Sequence, residues 1–493
     1  MTAERMVDLA VVGAGPAGLT AAVTAADLGL SVALIDAAEQ TGGQYWRHPD
    51  ERHRAAFARP ESTGHHHWHR YTDLRDRLQR AVRAGSVRHV AGRQVWRAAA
   101  EGAGFALHTT PSVGRDAVPV AERTVRARRV VLATGAYDRQ LPVPGWTLPG
   151  VMAAGGVQAL LKANQVAAGR RAVVAGTGPF LLSVAAGLAE AGVDVVAVCD
   201  ANALSRWART PLRALQEPGK LLEGVGYAAQ FVRSRVPLYT RTVVTEVRGE
   251  GRASAVTLQK VDGRGNPRPG TAREVEADLV AFGWGFTPQL ELAVGLGLGT
   301  RVDVDASLVV EVDQAQRTTL DGVYAAGEAT GIGGAVQSCA EGALAARAAA
   351  ADAGRDALGR DARRLRRRIA RGRRFAVGMH RASPVPEAWS RWLTPDTLVC
   401  RCEEVTAAEA TDTVGCLGAD DARDVRVTAR PGMGWCQGRV CGFALAGLVA
   451  AETGQAPTAA DLDTLAKRPL GVPVRLGDIA ALAEDESTRT EHA

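Results

Sequence analysis

The sequence predicts an α/β fold: one doubly wound unit is inserted into another, and a small helical module follows. Three observations lead there. Two stretches, "VDLAVVGAGPAGLTAAVTAADLGLSVALID" and "GRRAVVAGTGPFLLSVAAGLAEAGVDVVAVCD", share one plan: an apolar run, a Gly-rich turn, an alanine-rich helix and a second apolar run ending in Asp. Four of the seven cysteines crowd into two short patches near the C-terminus. The chain has 493 residues, which at roughly 100–200 residues per domain suits about three domains.

The first stretch opens on Val7 to Val12, a short apolar run of the kind that forms a buried parallel strand. "GAGPAG" follows, with Gly13, Pro16, Ala17 and the G-x-G-x-x-G spacing completed by Gly15 and Gly18. Gly13 suits the tight turn, Gly15 lets backbone N–H groups approach a pyrophosphate at the helix N-terminus, and Gly18 permits close helix–strand packing. Gly29 fits a helix C-cap, and "SVALID" is the next strand. Asp36 lies 18 residues beyond Gly18, where an acid can bond a ribose hydroxyl. A lone G-x-G-x-x-G is weak evidence. With strand, helix, second strand and terminal acid all in place, it identifies a Rossmann-like dinucleotide-binding unit.

The second stretch repeats the plan. Ala172 to Ala175 are strand-like, Gly176 and Gly178 match the first two glycines, Gly192 ends the helix and Asp200 ends the next strand. The third small residue is replaced by Leu181, which argues against close helix–strand packing. "SRWARTPLR" adds Arg206, Arg209 and Arg213, either phosphate ligands or solvated groups.

The cysteine patches are "VCRCEEVT" and "GMGWCQGRVCG": Cys400 and Cys402 as C-x-C, then 33 residues, then Cys436 and Cys441 as C-x4-C. Four thiolates in two close pairs are the ligand count of a [2Fe-2S] cluster or of structural zinc. Zinc knuckles usually show C-x2-4-C, whereas C-x-C is found in cluster-binding domains. The flanking segments read as helical, which puts the pairs at helix ends, where N–H groups stabilise thiolates. Cys199 reads as a core residue and Cys416 as buried; Cys339, in "QSCAEG", has no C-x-x-C partner, so a flavin–disulfide relay is not expected.

Composition excludes several classes. Hydrophobic content is 46% and charged content 23%, ordinary for a globular protein. No apolar run reaches the ~18–20 residues a spanning helix needs, and the acidic N-terminus leading straight into a strand is not a signal peptide; the expected location is the cytoplasm. A reducing compartment turns close cysteine pairs toward metal or redox work. The net charge of +6 is local, because "DARRLRRRIARGRRFAVGMHR" (361–381) holds nine Arg and one Asp, leaving −2 for the rest. With aromatics at 5% and no basic stripe, nucleic-acid binding is not expected. The 361–381 stretch reads as a linker helix, with Leu365, Ile369 and Phe375 on one side, either solvated or docking an acidic partner. "HHHWH" (65–69) reads as a surface or interface segment rather than a metal site, and the polar tail "EDESTRTEHA" as disordered.

Further motifs carry a resemblance. "TGGQYW" (with Gly42, Gly43 and Gln44), "RVVLATGA" (with Thr134 and Gly135) and "TTLDGVYAAGEATG" (with Gly327 and Glu328) resemble the secondary FAD signatures of glutathione-reductase-like flavoproteins with two dinucleotide-binding domains. The resemblance implies FAD on the first turn, with the acid after Gly327 at the ribityl chain; here that acid is Glu rather than Asp. It implies NAD(P)H, or another adenine nucleotide, on the second turn, where Asp200 favours NAD because a 2′-phosphate would meet a carboxylate. "CRCEEVT" with "GMGWCQGRVCG" resembles bacterioferritin-associated-ferredoxin-type [2Fe-2S] domains. Together with "LPVPGWTLPGVMAAGGVQALLK", the whole pattern is similar to the large subunits of heteromeric amine-oxidising flavoenzymes, the group of the opine oxidases, hydrogen cyanide synthases and dye-linked proline and hydroxyproline dehydrogenases.

What this implies is an FAD-binding domain at 1–145 and 300–355, an inserted NAD(P)-binding-like domain at 146–299, an Arg-rich linker at 356–394, a [2Fe-2S] domain at 395–456 and an extension at 457–493. The expected partners are a second, substrate-oxidising flavoprotein subunit and a small ferredoxin-like subunit. No acid–base or nucleophile constellation for an organic substrate stands out, which suits an electron-relaying subunit. The alternatives are a standalone NAD(P)H-dependent flavoprotein reductase serving a ferredoxin-type acceptor, and a cluster-based redox sensor.

Overall fold

The computed structural model describes residues 6–60, 64–112, 123–209, 226 and 230–480. Arg213 and the tail 484–493 lie outside these described residues.

Two five-stranded parallel sheets form the frame. The first runs, in spatial order, Val323–Ala325, Val130–Leu132, Leu9–Val12, Val32–Asp36, Val87–Ala91. Every residue of Leu9–Val12 is buried, as expected of a parallel strand covered on both faces. Helix Pro16–Asp27 leaves the first Gly-rich turn and packs on helix Ala335–Asp352. Small residues make that approach possible: a Cβ on Gly342 would lie 2.0 Å from Ala17 O. The second sheet runs Leu238–Thr240, Asp194–Asp200, Arg171–Gly176, Leu279–Gly283, Val151–Ala153. The chain passes between the sheets on Ala136–Asp138 and Phe286–Pro288, which pair antiparallel.

Leu181 does not loosen the second unit. It is buried, and its room is made by the neighbouring strand, where a Cβ on Gly283 would lie 2.9 Å from Leu181 Cδ2. The small residue that the fingerprint lacks is supplied about a hundred residues away.

The arginine-rich stretch forms one helix, Arg360–Ala382. It is more than a solvated linker. Ala362, Gly372, Ala376 and Gly378 face the protein, while Leu365, Ile369 and Phe375 are only half-buried. Glycine and alanine let the helix lie close along Ala335–Asp352, and Arg373 anchors it to Asp303 at 3.3 Å.

The C-terminal module begins with strand Leu398–Cys400 paired to Val405–Thr406, followed by helices Ala407–Gly415, Ala422–Ala429, Gly442–Thr453 and Ala459–Ala466. Thr406 and Glu409 start the first of these with a capping box: Glu409 N–H donates to Thr406 Oγ1 at 3.2 Å and Thr406 N–H to Glu409 Oε2 at 2.8 Å. The module shares a core with the antiparallel sheet Thr242–Arg248, Ala255–Lys260, Arg273–Glu276 of the inserted unit. Trp389, Trp392, Val399, Ala444 and Leu448 pack there with Val244, Leu258 and Trp284. Trp146 Nε1 donates across the seam to Leu398 O at 2.7 Å.

Two readings of single residues are corrected. Cys416 is exposed, not buried, because it caps the C-terminal end of Ala407–Gly415 at the surface. In "HHHWH", His66 and His69 are exposed, but His65 and Trp68 are buried. The helix starts only at Trp68. His65 lies between Pro60 O (3.1 Å) and Arg47 O (2.7 Å), and Trp68 stacks beside Tyr71.

Candidate flavin and cysteine sites

At the first turn Gly13 has φ of +102°, and a Cβ there would lie 2.3 Å from Ala133 O. A Cβ on Gly18 would lie 1.7 Å from Gly13 O. Both positions accept only glycine. Gly15 is different: beside its missing Cβ the nearest atom is Gly43 Cα at 3.9 Å. This leaves an open cradle in front of helix Pro16–Asp27, as a pyrophosphate needs. Asp36 accepts from Ala14 N–H at 2.5 Å and Ala38 N–H at 2.7 Å. Burial pushes its carboxyl up, against those bonds and the charge of Arg47. Arg47 in turn grips the Gln44 side chain, Nη2 to Oε1 at 2.7 Å.

Thr134 and Gly135 fix the return turn, with Thr134 Oγ1 donating to Gln289 O at 2.7 Å and Gln289 N–H to Gly135 O at 2.9 Å. Gly327 has φ of +80° and opens the turn Gly327–Thr330. Burial pushes the Glu328 carboxyl up to about 7, against a bond from Gly334 N–H.

Sequence reading missed the residue that organises this turn. Glu341 is buried and accepts from Gly327 N–H at 2.8 Å, Gln337 Nε2 at 2.8 Å and Thr330 Oγ1 at 3.3 Å. A charged residue inside the otherwise small and apolar "QSCAEGALAA" was the available signal, since buried charge demands partners. Arg373 closes the other side, donating to Thr330 O and filling the space beside Gly331.

The second turn keeps the backbone plan. Gly176 and Gly178 have φ of +146° and +87°. Asp200 accepts from Asn202 N–H at 2.8 Å, and burial pushes its carboxyl up to about 6. The face of Gly178 is covered by this chain's own connector, with Ser383 Cβ 3.6 Å from the position of the missing Cβ. Thr177 Oγ1 donates to Ser383 O at 3.1 Å, and Asn202 Nδ2 to Pro384 O at 2.9 Å. Ser383 and Pro384 therefore pack against this turn. Arg206 and Arg209 follow in the short helix Leu204–Arg209.

The four cysteines meet as two pairs. Cys400 lies beside Cys441, and Cys402 lies beside Cys436. Only part of the helix-end expectation is met: Cys441 is the N-cap of Gly442–Thr453, whereas Cys400 ends a strand and Cys402 lies in the turn after it. Cys441, together with N–H groups of Gly432, Glu403 and Cys402, outweighs burial and brings the Cys400 thiol down to about 5. Gly432 N–H reaches its sulfur at 3.3 Å. Among the described residues no group of three or more His, Cys, Asp or Glu is gathered to hold a single metal ion.

Residues 7–352 match the family model described as pyridine nucleotide-disulphide oxidoreductase. The chain belongs to this family. Its fold is the Rossmann-like α/β architecture of that family. Curated relatives extend the likeness past residue 352. An opine oxidase subunit of Rhizobium meliloti is 32% identical over 492 residues, 97% of this chain and 99% of the relative. Hydrogen cyanide synthase subunit HcnB of Pseudomonas aeruginosa is 33% identical over 437 residues, 87% of this chain and 90% of the relative. These relatives are named as subunits, and the chain is a member of their group. The L-proline dehydrogenase structure from P. horikoshii has the same fold, with a TM-score of 0.66 over 96% of this chain and 79% of that one at 19% identity. This oxidoreductase fold, with its Gly15 cradle, makes the chain an FAD-dependent oxidoreductase. No helix among the described residues is long and apolar enough to cross a membrane.

Proposed function

We propose that this oxidoreductase is the FAD- and [2Fe-2S]-bearing electron-transfer subunit of a heteromeric complex that oxidises a C–N bond in an amino acid or opine. The observation that carries this reading is the meeting of Cys400 with Cys441 and of Cys402 with Cys436. A [2Fe-2S] cluster takes two thiolates on each iron, and two adjacent pairs suit it better than a single zinc ion.

FAD, when bound, supplies two-electron and one-electron exchange, and the cluster supplies single-electron transfer. The chain's own residues do the rest. The Gly15 cradle and the N-terminus of helix Pro16–Asp27 would hold the pyrophosphate, and Asp36 would serve the adenosine ribose. Glu328 would serve the ribityl hydroxyls, and Glu341 fixes the turn that carries it. The N–H groups around Cys400 stabilise thiolate. The cysteine module docks on the inserted unit through a shared core.

The cysteine loop also offers a face to a second protein. Trp435 is 74% exposed and Met433 39%, and Cys402, which lies against Gly434 between them in sequence, is exposed too. Trp and Met are enriched where partners bind. The relatives are named as subunits, which supports a heteromer; the partners we propose for it are a substrate-oxidising flavoprotein and a small ferredoxin-like protein. The connector over Gly178 speaks against a standalone NAD(P)H reductase. The test is anaerobic purification of the native complex with iron, zinc and flavin analysis. Iron, flavin and a second flavoprotein subunit together are the expected result; zinc without iron would remove the cluster from the proposal.

A further inference from the structure

One face of helix Arg360–Ala382 carries a charge pattern that the proposed electron transfer does not use. Arg360, Arg363, Arg364, Arg367, Arg371 and Arg374 are all exposed. At about 100° per residue they fall within a single stripe roughly 100° wide, and at ~1.5 Å per residue the stripe runs about 21 Å. No other residue type interrupts it between Arg360 and Arg374. Ala362, Gly372 and Ala376 hold the other side of the helix against the protein, so the row is presented on a fixed rod. It ends where Gly378 and Ala382 become buried in the last turns.

This charge is not neutralised from within. The helix's one acid, Asp361, is taken by Arg347 at 2.9 Å, and Asp303 is taken by Arg373, which lies off the stripe. Among the described residues no carboxylate pairs with Arg363, Arg364, Arg367 or Arg374. Like charges three and four residues apart repel along a helix. Cations in the first turn also oppose the helix dipole, and Arg360 and Arg363 stand there. An exposed helix that only needs solvation alternates its charges. The stripe works against the helix that carries it, so its use lies outside the chain.

A cleft of about 350 Å³ adjoins the stripe, between this helix and helices Pro16–Asp27, Trp68–Arg83 and Ala335–Asp352. Leu28 and Leu365 give it apolar walls. Its two acids are already paired, Asp27 with Arg77 at 2.5 Å and Asp361 with Arg347. Arg364, a residue of the stripe, is left as the uncompensated charge in the cleft. The cleft sits at the Asp27 end of helix Pro16–Asp27, the end away from the Gly15 cradle.

We propose that this face docks an acidic protein surface, that of a partner subunit in the heteromeric complex. The partner lays a row of carboxylates along the stripe, where guanidinium and carboxylate pair as charge-assisted hydrogen bonds. It seats an apolar side chain between Leu28 and Leu365, with a carboxylate on Arg364. Other occupants fit less well. A membrane surface needs apolar residues to insert, and among the described residues no exposed large apolar side chain lies on this helix. A nucleic acid needs stacking or base-reading groups beside the cations, and Phe375 is turned against Trp207 at 6.2 Å. A second copy has no matching face, because outside residues 361–381 the chain carries only −2 in all. The inference rests on the proposed heteromer for the existence of a partner, and on neither the cysteines nor the flavin.

The experiment starts from the native complex, purified through the tagged full chain, with its subunits identified by mass. The purified partner is then titrated against three FAD-loaded chains: wild type, an Arg363→Glu, Arg367→Glu, Arg374→Glu triple variant, and the corresponding triple Arg→Lys variant. Wild type and the lysine variant are expected to bind the partner, more weakly as salt rises. The glutamate variant should bind at least tenfold more weakly, with flavin content and melting temperature kept. Phenylglyoxal modification gives a second readout: Arg363, Arg367 and Arg374 should be protected in the complex and reactive in the free chain, while Arg252, exposed on the inserted unit, reacts in both. Equal affinity in the folded glutamate variant, or a stripe that stays reactive in the complex, overturns the proposal and leaves the heteromer standing. A stripe covered by nuclease-sensitive nucleic acid, by anionic vesicles or by a second copy of the chain overturns it too. A native chain that carries no partner at all overturns both this proposal and the heteromer.

Discussion

Leu181 of the second Gly-rich turn packs directly on Gly283 of the adjacent strand, with Cδ2 2.9 Å from where a Cβ on that glycine would stand. The pair replaces the usual small residue on the helix with a small residue on the sheet. Gly283→Ala should therefore act like overpacking and cost about 1–3 kcal/mol. Leu181→Ala should open a cavity and cost about 2–5 kcal/mol. Thermal unfolding of each variant checks this, and both should keep their flavin. If Gly283→Ala melts like wild type, the contact is not tight.

That pair also shows where sequence reading stops. Both turns were legible because their glycines recur at a fixed spacing set by the turn itself: Gly18 meets Gly13 O at 1.7 Å from its Cβ position. Compensation between Leu181 and Gly283 was not legible, because the partners are far apart in sequence and meet only when the sheet forms. Cys416 was misjudged for a related reason. Cysteine is usually buried, but a helix end can put any residue at the surface. The cysteine patches could be counted, yet their pairing across 400–441 and 402–436 is a product of the fold, and so is the covering of Gly178 by Ser383.

Gly15 and Gly18 should separate binding from folding. Space around the Gly15 Cβ position is open to 3.9 Å, so Gly15→Val is expected to fold but to lack FAD. Gly18→Ala would meet Gly13 O at 1.7 Å and should fail to fold. Flavin absorbance and circular dichroism check both. Full flavin occupancy in Gly15→Val would mean that the pyrophosphate is not held there.

Cys436→Ser should lose iron and keep FAD, because the flavin turn and the cysteine module are built on different sheets. Cys416→Ser, a change at an exposed helix end, should keep both. Iron analysis after anaerobic preparation decides. Iron lost in Cys416→Ser and kept in Cys436→Ser would reverse the ligand assignment.

Glu328 gives the flavin-free protein a pH dependence. Burial raises its carboxyl from 4.5 to about 7 in the folded state. A raised carboxyl favours folding while protonated, so its contribution is fully present below about 4.5 and is lost as pH rises through 7. The loss is at most about 3.5 kcal/mol, from about 1.4 kcal/mol per pKa unit. Denaturant melts of flavin-free protein from pH 4.5 to 8 should show stability falling, and Glu328→Gln should flatten that fall. An unchanged slope in the variant would assign the dependence to another group.

The last prediction concerns NADH. Ser383 and Pro384 lie over Gly178 and take up the hydrogen-bonding groups of Thr177 and Asn202. A nicotinamide nucleotide is expected to compete with this connector for the turn. The isolated chain is therefore expected to be reduced by NADH or NADPH more slowly than ~1 s⁻¹, the low end of ordinary turnover. Removing the two side-chain bonds with Thr177→Ala and Asn202→Ala, together with Ser383→Gly, should loosen the connector. The triple variant should then bind NADH more tightly than wild type, while its flavin content stays the same. Stopped-flow reduction and equilibrium titration measure the two quantities separately. Fast reduction of the wild-type chain by NADH would show that the connector does not block the turn, and would favour a standalone reductase. Unchanged NADH affinity in a folded, flavin-loaded triple variant would mean that something other than the connector closes the site. Electrons would in either slow case have to enter from the substrate-oxidising partner, and mixing the chain with that partner plus an amino-acid substrate should reduce its flavin where NADH alone does not.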